Sequence, residues 1–397
     1  MLAVADLAHT PNALAPHYAR FEVSRRLLLS GHSHQAWPDV AHEGLVESFD
    51  DAALHVDEKW TRAFAKAERV REGYRALLDD AGGEIALAAS THELVVRWLS
   101  ALDLRRRPRL VTTDGEFHTL RRQLTRLAEE GLELHREPAR PVSTLAARLA
   151  DRVDGRTAAV MVSAVYFETA RIVPALGELA AACARRDVPL LVDAYHALGA
   201  IPFSLRELGL ESALVTGGGY KYLQLGEGNS FLRLPRGLDL RPALTGWFAE
   251  FAAKTAVPSW ERVEYGPGAA AFGGATYDPA SHYRAARVLD FFAEHGLDPS
   301  FLRAVSQHQV GLLADCFDRL DLSPEVATRD RRVPLEQFGA FLAIESPYAV
   351  DLSRRLLERG VFTDARGRFL RLGPAPYLCD SQLETAMAIL GEAAERL

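Results

Sequence analysis

The residues best suited to chemistry are an aspartate and a lysine, each placed just past a run of strand-forming residues. Asp193 closes Pro189-Leu190-Leu191-Val192, and Lys221 follows Gly217-Gly218-Gly219-Tyr220 after Ala213-Leu214-Val215-Thr216. In a parallel sheet the C-terminal strand ends gather along one edge, where ligands bind. An acid and an amine at that edge have two readings. One is an ion pair or two solvated loop residues. The other is a site for pyridoxal 5'-phosphate (PLP), which needs a lysine amine for a Schiff base, an acid facing its pyridinium nitrogen and donors for its phosphate. Because an unperturbed lysine is protonated at neutral pH, such a site must lower the proton affinity of the amine.

A phosphate also needs a cradle. Ser90-Thr91-His92-Glu93 has the S-x-x-E form of a capping box and opens an apolar helix through Leu94, Val95, Trp98 and Leu99. Its hydroxyls and free N–H groups, at the positive end of a helix dipole, suit an anion, and they equally suit simple capping. The glycine turn before Lys221 lacks the GxxxxGK[ST] spacing of a P-loop, with Tyr222 after the lysine, which argues against a nucleotide hydrolase. Gly31-His32-Ser33-His34 offers two histidines at i, i+2, but no carboxylate or cysteine completes a set, so no metal site is expected.

Helix and strand patterns alternate from about residue 58 to 235. Helical spacing runs from Trp60 to Leu77 and ends at Gly82-Gly83. Strands are expected at Glu84–Ala88, Leu110–Thr113, Ala158–Val162, Pro189–Asp193, Ala213–Thr216 and Ser230–Leu234, with helices from about Phe117 and from Leu176 to Arg186. This alternation predicts an α/β fold whose mostly parallel sheet is covered on both faces. Beyond about residue 259 the texture changes. Glycine-rich loops are followed by a helix from about Ser281 to Glu294, a strand at Ala340–Ile344, a helix from about Asp351 to Arg359, a strand at Phe369–Leu372 and a last helix from about Gln382. We expect a large domain at 46–259, with 1–45 and 260–397 forming an N-terminal arm and a small α+β C-terminal domain.

Composition narrows the classes. The chain has 397 residues, 48% hydrophobic and 25% charged, and a net charge of −7, which suits a globular protein and not a general nucleic-acid binder. The basic run Arg105-Arg106-Arg107-Pro108-Arg109 lies between a helix and a strand pattern and reads as a solvated loop. Three cysteines form no CxxC pair and no disulfide framework. The N-terminus has no signal-peptide pattern, and no apolar run reaches the roughly 18–20 residues needed to cross a bilayer. A cytoplasmic protein that binds neither membrane nor nucleic acid is expected.

The residues resemble a known family. Asp193-Ala194-Tyr195-His196-Ala197-Leu198-Gly199-Ala200-Ile201-Pro202 is similar to the D-x-x-H-x-x-G-A-x-P stretch of class V, fold type I PLP-dependent enzymes. Gly219-Tyr220-Lys221 resembles their kynureninase branch, where a tyrosine directly precedes the Schiff-base lysine. Leu244-Thr245-Gly246-Trp247-Phe248 resembles that branch's G-W segment, and Arg359-Gly360-Val361-Phe362-Thr363-Asp364 with Arg371-Leu372-Gly373-Pro374-Ala375-Pro376 its C-terminal elements. Leu29-Ser30-Gly31-His32-Ser33 stands where the family has an L-D-G-N-S-like strand and loop. The likeness spans about residues 27 to 390.

The resemblance implies a fold type I transferase architecture, with a mostly parallel seven-stranded sheet and a small C-terminal domain. It implies PLP as cofactor and the following roles. Lys221 carries the Schiff base and later moves protons, and Asp193 pairs with the pyridinium nitrogen. His196 and Tyr220 lie near the phosphate and Schiff base, with Ser90, Thr91 and Thr169 among the cofactor contacts. In Asp114-Gly115-Glu116-Phe117-His118 one ring stacks on the cofactor, His118 by register and Phe117 as second choice. Trp247 and Thr276 resemble phosphate contacts that reach across a dimer interface, so a homodimer with shared active sites is expected. Arg371 resembles the arginine that binds the substrate α-carboxylate, a task that suits a planar fork, and His32, Trp37 and Phe117 are candidates to face an aromatic substrate. The sequence departs from the pattern at Tyr166, which replaces an asparagine, at His32 and at Ala170, and these departures bear on substrate identity.

Three functions follow as expectations. The first is kynureninase-like hydrolysis of a Cβ–Cγ bond next to a γ-carbonyl in a small amino acid, which takes kynurenine to anthranilate and alanine. The second is another class V reaction, amino transfer or a β-lyase. Desulfuration needs a thiolate on a mobile loop, whereas Cys183 and Cys316 fall on helix patterns and Cys379 lies past the expected loop. The third is a regulatory binding module, which the short segment before Leu27 and the presence of Lys221 both oppose.

Overall fold

The computed structural model describes residues 2–251, 253 and 260–397. Its central sheet has seven strands in the spatial order Glu84–Ala88, Ser230–Leu234, Leu214–Gly218, Leu190–Asp193, Thr157–Ser163, Arg109–Thr113 and Glu133–Glu137. Ser230–Leu234 runs antiparallel to both its neighbours, and the other six strands share one direction. This is the mostly parallel, two-face-covered sheet that the alternating pattern requires.

The central strands show why. Thr157–Ser163 is buried at all its positions, and its small and branched side chains divide between two cores. Val160 and Val162 enter one cluster with Val192 and Val215, while Ala159 and Met161 enter the other with Leu191 and Leu214. Fully burying one such Val or Leu is worth roughly 1.5–3 kcal/mol, so both faces must be covered by helices.

The edge strand Glu133–Glu137, reading Glu-Leu-His-Arg-Glu, has no apolar alternation and escapes sequence patterning. It is fixed by pairing with Arg109–Thr113 and by Glu137, which takes hydrogen bonds from Arg148 and Arg152. Charged side chains on an edge also discourage stray strand addition.

Helices from distant parts of the chain close over the sheet. Val40–His55 and Lys59–Leu77 pack against Ala280–Glu294. Glycines allow the approach: a Cβ on Gly44 would meet Arg284 Cα at 2.9 Å, and one on Gly73 would meet Leu289 Cδ1 at 2.6 Å. Tyr283 donates to Asp51 across this contact at 2.8 Å.

The C-terminal part holds a second, antiparallel sheet in the order Asp364–Arg366, Phe369–Leu372, Leu342–Glu345, Thr328–Arg329. It packs with helices Pro299–Arg319 and Ala349–Glu358, and Asp380–Ala394 packs on those two helices. The N-terminal arm joins it: Leu27–Leu28 pairs in parallel with Val361–Phe362, and Ser30 bridges to Gly373. The boundary expected at residue 259 lies outside the described residues. Among the described residues no helix is long and apolar enough to cross a membrane.

Candidate active site

The C-terminal ends of the parallel strands open on a cavity of about 270 Å³. Leu190–Asp193 delivers Asp193 to its wall, and the turn after Leu214–Gly218 delivers Lys221. The Lys221 amine is buried and donates to His196 Nε2 at 2.8 Å. Three rings surround the amine, with centroids 4.8 Å (Tyr195), 5.3 Å (Phe117) and 5.8 Å (Tyr220) from Nζ. Burial pushes this amine down to about 7, against the pull of Asp193. Burial and the nearby Lys221 hold His196 well below its ordinary range, so it faces the amine as a neutral ring.

Asp193 Oδ1 accepts the Tyr195 backbone N–H at 2.9 Å. Burial raises this carboxyl, opposed by that hydrogen bond and by Lys221. Among the described residues no arginine or lysine lies within ion-pair distance of it, so it is not spent on a structural ion pair.

The third wall is the start of helix Thr91–Ser100. Ser90 Oγ accepts the Glu93 N–H at 3.4 Å, but Glu93 turns its carboxylate to Arg97, at 3.1 Å, so the reciprocal half of the expected capping box is missing. The strands leave Ala89, Ser90, Thr91 and His92 along the cavity. Free N–H groups at a helix start and the aligned backbone dipoles suit an anion there.

Of the two candidate stacking rings, Phe117 lines the cavity, edge-on to Phe167 at 5.3 Å. His118 begins helix His118–Glu129 behind it, packs on Phe117 and Phe167, and is not part of the wall. Likewise Tyr166 turns away, its hydroxyl 3.3 Å from Thr113 Oγ1, and Phe167 takes the place at the cavity. Thr169 lies apart, on a separate cavity with Glu168, where its Oγ1 accepts the Arg171 N–H at 3.4 Å. Tyr220 lines the main cavity, and His34 stacks on it at 4.8 Å.

Arg371 is buried, and its fork is already engaged. Nε donates to Asp364 Oδ1 at 2.8 Å, Nη2 to Asp364 Oδ2, and Nη1 to the Phe167 carbonyl at 2.6 Å. Asp364 Oδ1 also meets His32 Nε2 at 2.9 Å, with His32 fully buried, its pKa pushed down to about 4 by burial and its Nδ1 without a partner. Neither histidine of the His32/His34 pair is set up as a metal ligand, and among the described residues no cluster of three or more His, Cys, Asp or Glu could hold a metal. Trp37 packs under Arg284 and beside Phe21, away from the wall. Trp247 is about half exposed and donates to Thr276 Oγ1 at 3.3 Å. Thr276 borders a larger cavity of 940 Å³ that shares Ala89, Glu227 and Gly228 with the first.

Several site residues were not singled out from the sequence. Ser163 and Ser230, at strand ends, and Thr216, in the middle of its strand, line the cavity. Behind Ser163 sits Glu116, fully buried, accepting from Ser163 Oγ and Thr113 Oγ1, each at 2.6 Å. Burial raises its carboxyl to about 7. One signal was available in composition. The chain holds four lysines, Lys59, Lys66, Lys221 and Lys254, among 46 basic residues. A chain that uses arginine almost everywhere keeps a primary amine here, and a guanidinium cannot form an imine. The three cysteines are buried, and none borders the cavity.

No family sequence model matches the chain. A curated Bacillus subtilis (strain 168) protein, the uncharacterized aminotransferase YcbU, is 23% identical over 209 residues, covering 51% of this chain. The match spans about half the length of that relative, 54%. Among solved structures, a C-DES mutant with glycine covalently linked to its PLP cofactor superposes with a TM-score of 0.81 at 16% identity, covering 95% of this chain and 98% of that one. Apo cysteine desulfurase from Thermococcus onnurineus NA1 gives 0.78 at 15%, covering 98% and 99%. The Escherichia coli cysteine desulfurase CsdA gives 0.77 at 16%, covering both chains fully. The chain therefore has the α/β fold type I architecture of PLP enzymes, with a seven-stranded sheet and a small C-terminal domain.

Proposed function

We propose that this chain binds PLP on Lys221 and acts on a small amino acid as a class V PLP enzyme. One observation carries the reading: a buried lysine amine whose pKa burial lowers to about 7 shares a cavity with an acid that has no ion-pair partner among the described residues and with a helix start suited to an anion. The fold and the relatives' descriptions support it. When bound, PLP supplies an electron-withdrawing ring that makes the bonds at a substrate Cα labile.

The chain's own residues supply the rest. Asp193 would hold the pyridinium proton, and Ser90, Thr91 and the helix start would hold the phosphate, with Tyr220 nearby. Phe117, which lines the cavity, would lie on the cofactor, with His118 packed against it and Thr169 on the neighbouring cavity. Lys221 Nζ, low in proton affinity, is able to take a proton from Cα and return it, and neutral His196 orients it through the 2.8 Å hydrogen bond. Arg371 does not line the cavity and three of its five N–H groups are engaged by Asp364 and the Phe167 carbonyl; it would hold the α-carboxylate through the remaining two. Trp247 and Thr276, outward-facing in one chain, would complete the phosphate site of a second copy in a homodimer. Residues 46–259 would form the cofactor-binding unit, and a cytoplasmic setting agrees with three unpaired cysteines.

For the finer reaction, our reading is kynureninase-like hydrolysis of a Cβ–Cγ bond. It rests on the tyrosine directly before Lys221 and on aromatic walls at Phe117, Phe167 and Tyr195. The second reading is a lyase or amino-transfer reaction, supported by YcbU and by C-DES, described as a cystine C–S lyase. A desulfurase that uses its own thiolate is disfavoured by a wall without cysteine. A product screen of the PLP-loaded protein separates these. Alanine with anthranilate from L-kynurenine supports hydrolysis, and cysteine persulfide from L-cystine supports the lyase. An oxo acid with PLP left in its amine form supports amino transfer. No turnover of any amino acid would sink the enzyme reading.

A further inference from the structure

The triple glycine before Lys221 does not serve backbone conformation: none of Gly217, Gly218 and Gly219 has a positive φ. Each makes room instead. A Cβ on Gly217 would meet Phe231 Cε1 at 3.0 Å, one on Gly219 would meet Leu225 Cβ at 2.6 Å, and one on Gly218 would meet Tyr195 Cζ at 2.6 Å, with the phenol oxygen closer still. Tyr195 follows Asp193 by two residues, and its backbone N–H is fixed on that acid. The strand end that delivers Asp193 thus also sends a phenol across to the next strand end, over the gap left at Gly218.

The phenol ends among donors. Its ring is 4.8 Å from the Tyr220 ring, and its hydroxyl interacts with Ser230 and Tyr220. Tyr195, Tyr220 and Ser230 line the same cavity as Ser90 and Thr91. Burial and the neighbouring tyrosines raise the Tyr195 pKa, so it keeps its proton and donates. Among the described residues the wall holds no arginine, and its lysine is Lys221. An anion bound at the helix start must therefore be held largely by neutral donors.

We propose that Tyr195 is a cofactor-phosphate donor in this chain, admitted by the absent side chain of Gly218. The assignment rests on the PLP reading and goes beyond it by naming a binding residue that the family resemblance does not supply. A hydrogen bond to a charged group is among the stronger ones, so its loss should weaken binding of the phosphate-bearing ligand by roughly tenfold or more.

The test is equilibrium binding of PLP and of pyridoxal, which lacks the phosphate, to cofactor-stripped full-length protein, followed by absorbance and tyrosine fluorescence. Tyr195→Phe keeps the ring and removes the donor. It should weaken PLP roughly tenfold or more and leave pyridoxal unchanged. Gly218→Ala, which displaces the phenol, should do the same, and the double variant should be no worse than either single one. Unchanged PLP affinity in Tyr195→Phe, or equal losses for PLP and pyridoxal, overturns the assignment while leaving the PLP reading intact. Wild-type protein that binds neither ligand overturns that reading and this assignment together.

Discussion

The Lys221 amine lies 2.8 Å from His196 Nε2, a buried cation-forming group against a buried neutral ring. No carboxylate is within ion-pair distance of this amine among the described residues, and burial brings it down to about 7. The amine is therefore neutral above about pH 7, whereas an ordinary lysine is neutral only above about 10.4. Covalent PLP uptake by the stripped protein needs the neutral amine. Its rate should rise as pH increases through about 7 and then level. A rate still climbing in proportion to hydroxide at about pH 9 would contradict this environment.

Phe117, and not His118, meets the cavity. Phe117→Ala should weaken PLP binding roughly tenfold through lost ring contact, while His118→Ala should change it little. Absorbance titration of the two variants decides between the rings, and the reverse order would show that the sequence register was the better guide.

The buried Arg371 and the partly buried Asp364 form a two-pronged pair that also binds His32 and the Phe167 carbonyl. Asp364→Ala leaves a buried guanidinium unpaired and should cost about 3–5 kcal/mol of stability. Asp364→Asn, which keeps an acceptor, should cost less. Urea unfolding of both variants measures this, and equal, negligible losses would mean that the pair is not structural.

Glu116 supplies a pH signature. Its folded-state pKa, about 7, is raised above the ordinary carboxylate value by burial. The folded protein holds this proton where the unfolded chain has lost it, so the contribution is complete below about pH 4 and is lost as pH rises through about 7. Wild-type stability should therefore fall more steeply than that of Glu116→Gln between about pH 5 and about pH 8. Parallel curves would place the proton elsewhere.

Trp247 is half exposed and tied to Thr276 at the margin of the larger cavity. If this surface completes a second copy's site, sedimentation should show a homodimer, and Trp247→Ala should lower PLP affinity. A fully PLP-loaded monomer would rule out shared sites.

The parts of the molecule that read directly from the sequence share a physical cause. Strands buried on both faces, such as Thr157–Ser163, must be apolar runs, and Asp193 and Lys221 stand out as charges at the ends of such runs. The edge strand Glu133–Glu137 did not read, because an edge carries charge. Glu116, Tyr195 and Asp364 did not read as functional, because their significance lies in contacts between segments far apart in sequence: Ser163, Gly218 and Arg371 with His32. Register favours His118 as the stacking ring, whereas Phe117, the residue just before helix His118–Glu129, is the one of the two that lines the cavity.

Everything proposed for this site requires that Lys221 carry PLP covalently. Borohydride reduction of the PLP-treated protein, followed by peptide mass spectrometry, tests it against a background of three other lysines. A pyridoxyl phosphate adduct is expected on the peptide containing Lys221, and none in Lys221→Ala. Stoichiometric adducts on Lys59, Lys66 or Lys254 with none on Lys221, or no adduct at all, would contradict it.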